Sequence, residues 1–219
     1  MTDQTVSQMG YASRPNDDGE SIRVSAEEYM EKYAHDFYEW VDGELQKMSP
    51  ITGKHDQLSR YLSNLLDAYF ALNPIGELRR DPFVMRLSDL DVYREPDIQV
   101  ILNTNPGQLT ETAMIGPADI CIEIVSPGSV ERDYGKKFQE YEKGGVKEYW
   151  LFDPIRKSAL FRRLNSTGVY EIIQPSAEDI YETPLLPALQ IHISTLWQDP
   201  LPSIIAIIEA VRAMLSDQP

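Results

Sequence analysis

At 219 residues, 42% of them hydrophobic, the chain can bury a sizeable core as one α/β domain with additions. Its mean hydropathy of −0.36 and the absence of any run near the ~18 apolar residues of a membrane span exclude a membrane protein of that kind. A net charge of −15 argues against binding nucleic acid through the whole surface. The lone Cys121 excludes an internal disulfide, and the polar start MTDQTVSQMG reads as lacking a signal peptide, so a reducing cytoplasm is the expected location.

The charge is uneven. Residues 1–50 carry eleven Asp/Glu against four Lys/Arg, whereas residues 131–163 carry nine Lys/Arg against six Asp/Glu. Residues 1–20 read as a disordered leader, with residues 21–219 as a single domain. Ser25 followed by Glu28 has capping-box spacing and predicts a short acidic helix from Ala26 to about Ala34. Asp42-Gly43 between two β-prone runs, Phe37–Val41 and Glu44–Met48, predicts a hairpin, since glycine accepts positive φ.

Leu58, Leu62, Leu65, Leu66 and Tyr69 recur at helical spacing and predict an amphipathic helix that Asn73-Pro74 ends. Glu77–Leu87 and Ile98–Leu102 read as strands, with Ser88–Pro96 a polar turn between them. Asp119–Val125 reads as a buried strand, followed by a polar helix from about Val130 to Lys143, which Gly144-Gly145 stops. Val146–Phe152 is a further strand, Ala159–Leu164 and Val169–Ile173 pair as a hairpin, and Ser203–Leu215 is a final apolar helix. This order implies α/β or α+β architecture: a central mixed sheet flanked by helices, with an N-terminal helix and hairpin.

Chemistry concentrates in three residues. Glu123 is a carboxylate inside an apolar strand, where an unpaired charge is costly. Asp97 follows Pro96 at the start of the preceding strand, and two carboxylates on adjacent strands can converge on one hard cation. Asp133, Lys137 and Tyr141 at i, i+4, i+8 share a helix face, from which Lys137 can reach the same ion. Plainer readings stay open: Asp97 as a turn terminator, Glu123 in a structural ion pair, Lys137 as a solvated residue beside Asp133 and His55 as a helix-start residue. Cys121, Tyr141, Tyr149 and Trp150 are expected in the core.

Six motifs then occur in a telling order: Glu39 within Tyr38-Glu-Trp-Val-Asp-Gly-Glu44, Ser49-Pro50…His55, Glu95-Pro-Asp97, Glu123-Ile-Val-Ser-Pro127, Asp133-x-x-x-Lys137-x-x-x-Tyr141 and Gly145–Pro154. Over roughly residues 22–195 the chain resembles the Uma-two family of restriction-endonuclease-like proteins, a branch of the PD-(D/E)XK nuclease superfamily. The resemblance implies a restriction-endonuclease-like core and a metal-dependent endonuclease acting on DNA. Asp97 and Glu123 would hold Mg²⁺, or Mn²⁺ in its place, and Lys137 would act on the attacking water. Val125 stands where the superfamily expects a lysine, which implies that Lys137 has taken over from the following helix. Glu39 and His55 would be accessory, and cutting both strands of a duplex would favour a homodimer. Two other function classes remain: a nuclease scaffold that binds nucleic acid or protein without turnover, and an acidic regulatory or interaction protein.

Overall fold

The computed structural model describes residues 22–34 and 36–216, so the expected leader lies outside the described residues. The chain enters through α1 (Ala26–Lys32), whose first turn Ser25 closes by accepting the Glu28 N–H on Oγ at 3.1 Å. β1 (Tyr38–Val41) and β2 (Glu44–Lys47) form the predicted hairpin, with Val41 opposite Glu44. Asp42 and Gly43 both take positive φ, 51° and 84°, as a two-residue turn matched to the strand twist requires. α2 (Gly53–Leu72) is capped by Thr52, whose Oγ1 accepts the His55 N–H at 3.2 Å, and it buries the five predicted apolar positions.

The stretch read as one strand, Glu77–Leu87, is two. β3 (Gly76–Arg80) and β4 (Val84–Leu87) are separated by Asp81-Pro82 and enter different sheets, because Pro82 has no N–H to continue a ladder. The turn expected over 88–96 also holds a strand, β5 (Val92–Arg94), reached through a 3-10 turn and the left-handed Asp91 at φ 50°. β6 (Ile98–Leu102) and β9 (Ile120–Ile124) match expectation; between them the short β7 (Gln108–Leu109) and β8 (Ala113–Ile115) had no legible alternation.

The helix expected from Val130 does start there, passes through a five-residue π-helical turn, Arg132–Lys136, and continues as α3 (Lys137–Gly144), which Gly145 ends at φ 84°. β10 (Glu148–Asp153) follows, then the antiparallel pair β11 (Ser158–Leu164) and β12 (Tyr170–Ile173). An unpredicted two-stranded ribbon, β13 (Ile180–Glu182) with β14 (Gln190–His192), precedes α4 (Ile204–Ser216).

The architecture is mixed α/β. The expected central mixed sheet is the six-stranded β12-β11-β10-β9-β6-β3, and beside it stands a second six-stranded sheet, β2-β1-β5-β4-β8-β7, that patterning alone did not separate from it. β9 lies between β10, parallel, and β6, antiparallel, and all five of its residues are buried. Side chains alternate across a strand. Ile120, Ile122 and Ile124 therefore join the core built on α2 and α4, while Cys121 and Val125 join a second core with Met85, Tyr141 and Tyr149. Glu123 shares the parity of that second face, which α3 covers. Cys121 is fully buried with its Sγ 3.6 Å from Met85 Sδ, and burial raises its thiol pKa, so it is a packing residue.

Candidate active site

Strand register brings the carboxylates together. β6 pairs with β9 as Ile98↔Ile122, so one further step sets Asp97 across from Glu123. β3 pairs with β6 as Arg80↔Ile98, and the next step sets Asp81 beside Asp97, whose carbonyl accepts the Asp81 N–H at 3.3 Å. Asp97 Oδ2 accepts the Ile124 N–H at 2.6 Å and lies 3.1 Å from His55 Nε2. The start of α2 and the middle of the sheet are thereby tied at one carboxylate.

Lys137 crosses from α3 to the sheet. Its Nζ lies 2.8 Å from Glu123 Oε1, 3.2 Å from Glu39 Oε1 and 3.9 Å from Asp133 Oδ1. Tyr141 donates its hydroxyl to the same Glu123 Oε1 at 2.6 Å. The helical face proposed from spacing thus does converge, on Glu123. Lys137 is buried, which excludes the solvated reading.

A further cation was not anticipated. Arg94 is fully buried and lies opposite Glu39, since β1 pairs with β5 as Trp40↔Tyr93. It donates to Glu39 Oε2 at 2.8 Å and to both oxygens of Glu140 at 2.8 and 2.9 Å. The two-toothed geometry on Glu140 is the strong form of such a pair. Glu39 has no exposed surface and does not line the cavity described below; it joins Arg94 to Lys137.

Electrostatics separates these groups. Burial would raise the Glu39 pKa, but Lys137, Arg94 and Arg132 outweigh it and hold the carboxyl down at about 2. Burial pushes the Glu123 carboxyl above the ordinary carboxylate range, reinforced by Asp97, Asp133 and Glu39 and opposed by Lys137. Asp133 is raised chiefly by burial, and Asp81 is pushed up to about 6 by burial and the charge of Asp97. Lys137 is held well above its ordinary range by Glu123, Glu39 and Asp133 despite burial, and Asp97 likewise raises His55 against the cost of burial.

Asp81, Asp97, Glu123, Asp133, His55 and Lys137 all line one open cavity of about 370 Å³. The sequence reading missed Asp81 and Arg94. An Asp-Pro pair ending a strand was the available signal for the first; nothing local marks the second.

The donor set bears on the metal that the resemblance implies. Among the described residues, no three His, Cys, Asp or Glu side chains gather into a ready-made metal cage. The cavity instead offers oxygen donors from neighbouring strands, two of them with raised pKa values, and Asp133 Oδ1 is buried without a hydrogen-bond partner. That fits a hard cation of the Mg²⁺ type, which one or two carboxylates hold while water and substrate phosphate complete the shell.

One prediction follows from Asp81. A carboxyl whose pKa rises on folding adds stability that is complete below its unfolded value near 3.8 and lost as pH climbs through about 6. Asp81→Asn removes that loss, so in EDTA the variant should exceed wild type by about 1 kcal/mol above pH 7, the ~3 of two pK units being reduced by solvent screening. Near pH 4 the gain should vanish. Urea melts at both pH values check this, and an equal gain at both would refute the assignment.

The fold has a counterpart among solved structures, a putative nuclease belonging to DUF820 from Anabaena variabilis ATCC 29413. It is 18% identical, with the similarity covering 80% of this chain and 97% of that one at a TM-score of 0.67. No curated protein sequence matches the chain. Among the described residues no helix is long and apolar enough to cross a membrane. Residues 26–194 match the family described as Uma2, putative restriction endonuclease, and the chain belongs to that family.

Proposed function

We propose that the protein is a divalent-metal-dependent endonuclease that hydrolyses phosphodiester bonds in DNA, with Asp97 and Glu123 as metal ligands and Lys137 as the cation of the site. The observation that carries this reading is the meeting of Asp97, Glu123 and a buried Lys137 in one cavity, with Lys137 Nζ 2.8 Å from Glu123 Oε1. When bound, Mg²⁺ or Mn²⁺ supplies a polarised phosphate oxygen and an acidified water.

The chain's own groups do the rest. Asp97 Oδ2 is already engaged by Ile124 N–H and His55, which fixes the carboxylate's orientation. Three carboxylates keep the Lys137 ammonium protonated, so it serves as a fixed positive charge facing the negative charge that develops on phosphate rather than as a proton acceptor. Glu39 and Arg94 are positioning residues: they hold Lys137 and α3 in place without touching the cavity.

Purified protein is incubated with supercoiled, linear and single-stranded DNA in Mg²⁺, Mn²⁺ and EDTA, beside Asp97→Ala and Lys137→Ala. Cleavage by wild type that both variants and EDTA abolish is the expected result. Equal cleavage by all three proteins, or none by any, overturns the proposal. The second outcome would favour a scaffold that binds without turnover or an acidic interaction protein, and the net charge of −15 agrees with the latter.

A check independent of activity comes from protons. Metal binding requires an ionised Glu123, whose carboxyl burial raises above the ordinary carboxylate range, so Mn²⁺ uptake should release more protons as pH falls. Affinity should rise with pH. Calorimetry in buffers of differing ionisation enthalpy measures this, and uptake without proton release would contradict it.

A further inference from the structure

We propose that Phe37 is a base-stacking residue at the mouth of the site and that the preferred substrate is single-stranded or locally unpaired nucleic acid. The inference rests on the nuclease reading above and specifies its substrate. Phe37 is 63% exposed, yet it lines the same cavity as Asp97, Glu123 and Lys137. Its backbone lies at φ 61°, the left-handed region, which a bulky side chain seldom adopts. Strain of this kind persists where surrounding structure enforces it, and it gathers at functional sites. Here the Met48 N–H holds the Phe37 carbonyl at 2.8 Å. Two residues on, within β1, Glu39 reaches Lys137 at 3.2 Å, so the ring stands at the outward end of the segment that organises the cation.

The opposite lip is apolar as well. Ile51, 56% exposed, and Pro50 line the cavity from the loop before α2. That loop presses against the β9–α3 connection so closely that a Cβ at Gly128 would collide with the Ser49 side chain. Lys47 and Arg132 line the same cavity and add positive charge suited to phosphate. An apolar mouth, nearby cations and a carboxylate floor together match a nucleotide whose base is free and whose phosphate lies deeper. A continuous duplex keeps its bases stacked on one another and offers an exposed ring no free face, whereas every unpaired base does.

The test uses the full chain in EDTA, where binding is read without turnover, with a short fluorescent single strand and the matching duplex. Wild type should bind the single strand more tightly. Phe37→Ala should weaken that binding by about tenfold or more and leave duplex binding within about twofold, while Phe37→Trp retains it. Phe37→Asn, which tolerates the left-handed backbone and lacks the ring, should match the alanine variant, so a loss cannot be ascribed to relieved strain.

Unchanged single-strand binding in both ring-less variants, or an equal loss on duplex, overturns the proposal. No binding of either nucleic acid by wild type overturns it in favour of a protein partner at this mouth. Cleavage that Asp97→Ala and EDTA abolish but Phe37→Ala leaves untouched sinks the stacking role and keeps the nuclease reading. Ring-dependent single-strand binding with no cleavage in any metal does the reverse.

Discussion

Lys137→Ala is expected to destabilise the protein by about 3–5 kcal/mol, the cost of leaving a buried ion pair with only one of its partners. The magnitude follows from what remains behind. Glu123, Glu39 and Asp133 all lie within 4 Å of Nζ, and each is buried. In a chain of this size the loss corresponds to a fall in Tm of about 10 °C. A second substitution separates charge from packing. Lys137→Ala combined with Glu123→Gln should recover part of the loss, because the amide removes one uncompensated carboxyl, whereas an unfilled cavity would be indifferent to that change. Denaturant melts of the two single variants and the double variant decide it. A Lys137→Ala cost below about 1 kcal/mol would mean that the ammonium is solvated.

Asp97→Asn should leave the fold in place and lower DNA cleavage by about a thousandfold, roughly 4 kcal/mol of barrier. Asparagine keeps an oxygen to accept the Ile124 N–H, so the junction of β6 and β9 survives, but it gives up the charge that a divalent ion needs. Turnover under saturating Mg²⁺ and Mn²⁺ binding by calorimetry should therefore fail together, while circular dichroism stays unchanged. A variant that still binds Mn²⁺ with wild-type affinity would remove Asp97 from the metal site whatever its turnover.

Much of the fold was legible because it is written locally. Ser25 and Glu28 fix the start of α1, Asp42-Gly43 fixes a turn that needs two positive φ angles, and the leucines of α2 repeat at a helix's own period. The strand around Glu123 was visible as an apolar run, and its burial on both faces follows from neighbours on either side. Less legible was everything set by register between distant segments. Nothing near Arg94 announces that it will oppose Glu39, and Asp81 sat inside an alternating run whose break at Pro82 moves the chain from one sheet to the other. The π-helical turn Arg132–Lys136 has no counterpart in a pattern read at 3.6 residues per turn.

For the site, Asp97, Glu123 and Lys137 were named from residue type and order, and the geometry places them together. His55 is the helix-start residue that was expected, its N–H on Thr52 Oγ1, and its ring also lies 3.1 Å from Asp97 Oδ2, while Glu39 lies behind the cavity rather than in it. The difference is one of depth: patterning shows which face a side chain takes, but not how far its partners draw it from solvent.

The position of Lys137 on a helix, between carboxylates from both sheets, has a consequence for how the molecule assembles. Glu123 belongs to one sheet and Glu39 to the other, and a single ammonium satisfies them both. Arg94 already answers Glu39 within its own sheet, whereas Glu123 is answered by the Lys137 that α3 carries in from outside the central sheet. A partly folded chain, even one with every strand of the central sheet in register, would hold its acids in a row without the positive charge that makes them useful. The positive charge of the proposed site is thus supplied only where α3 closes over the central sheet.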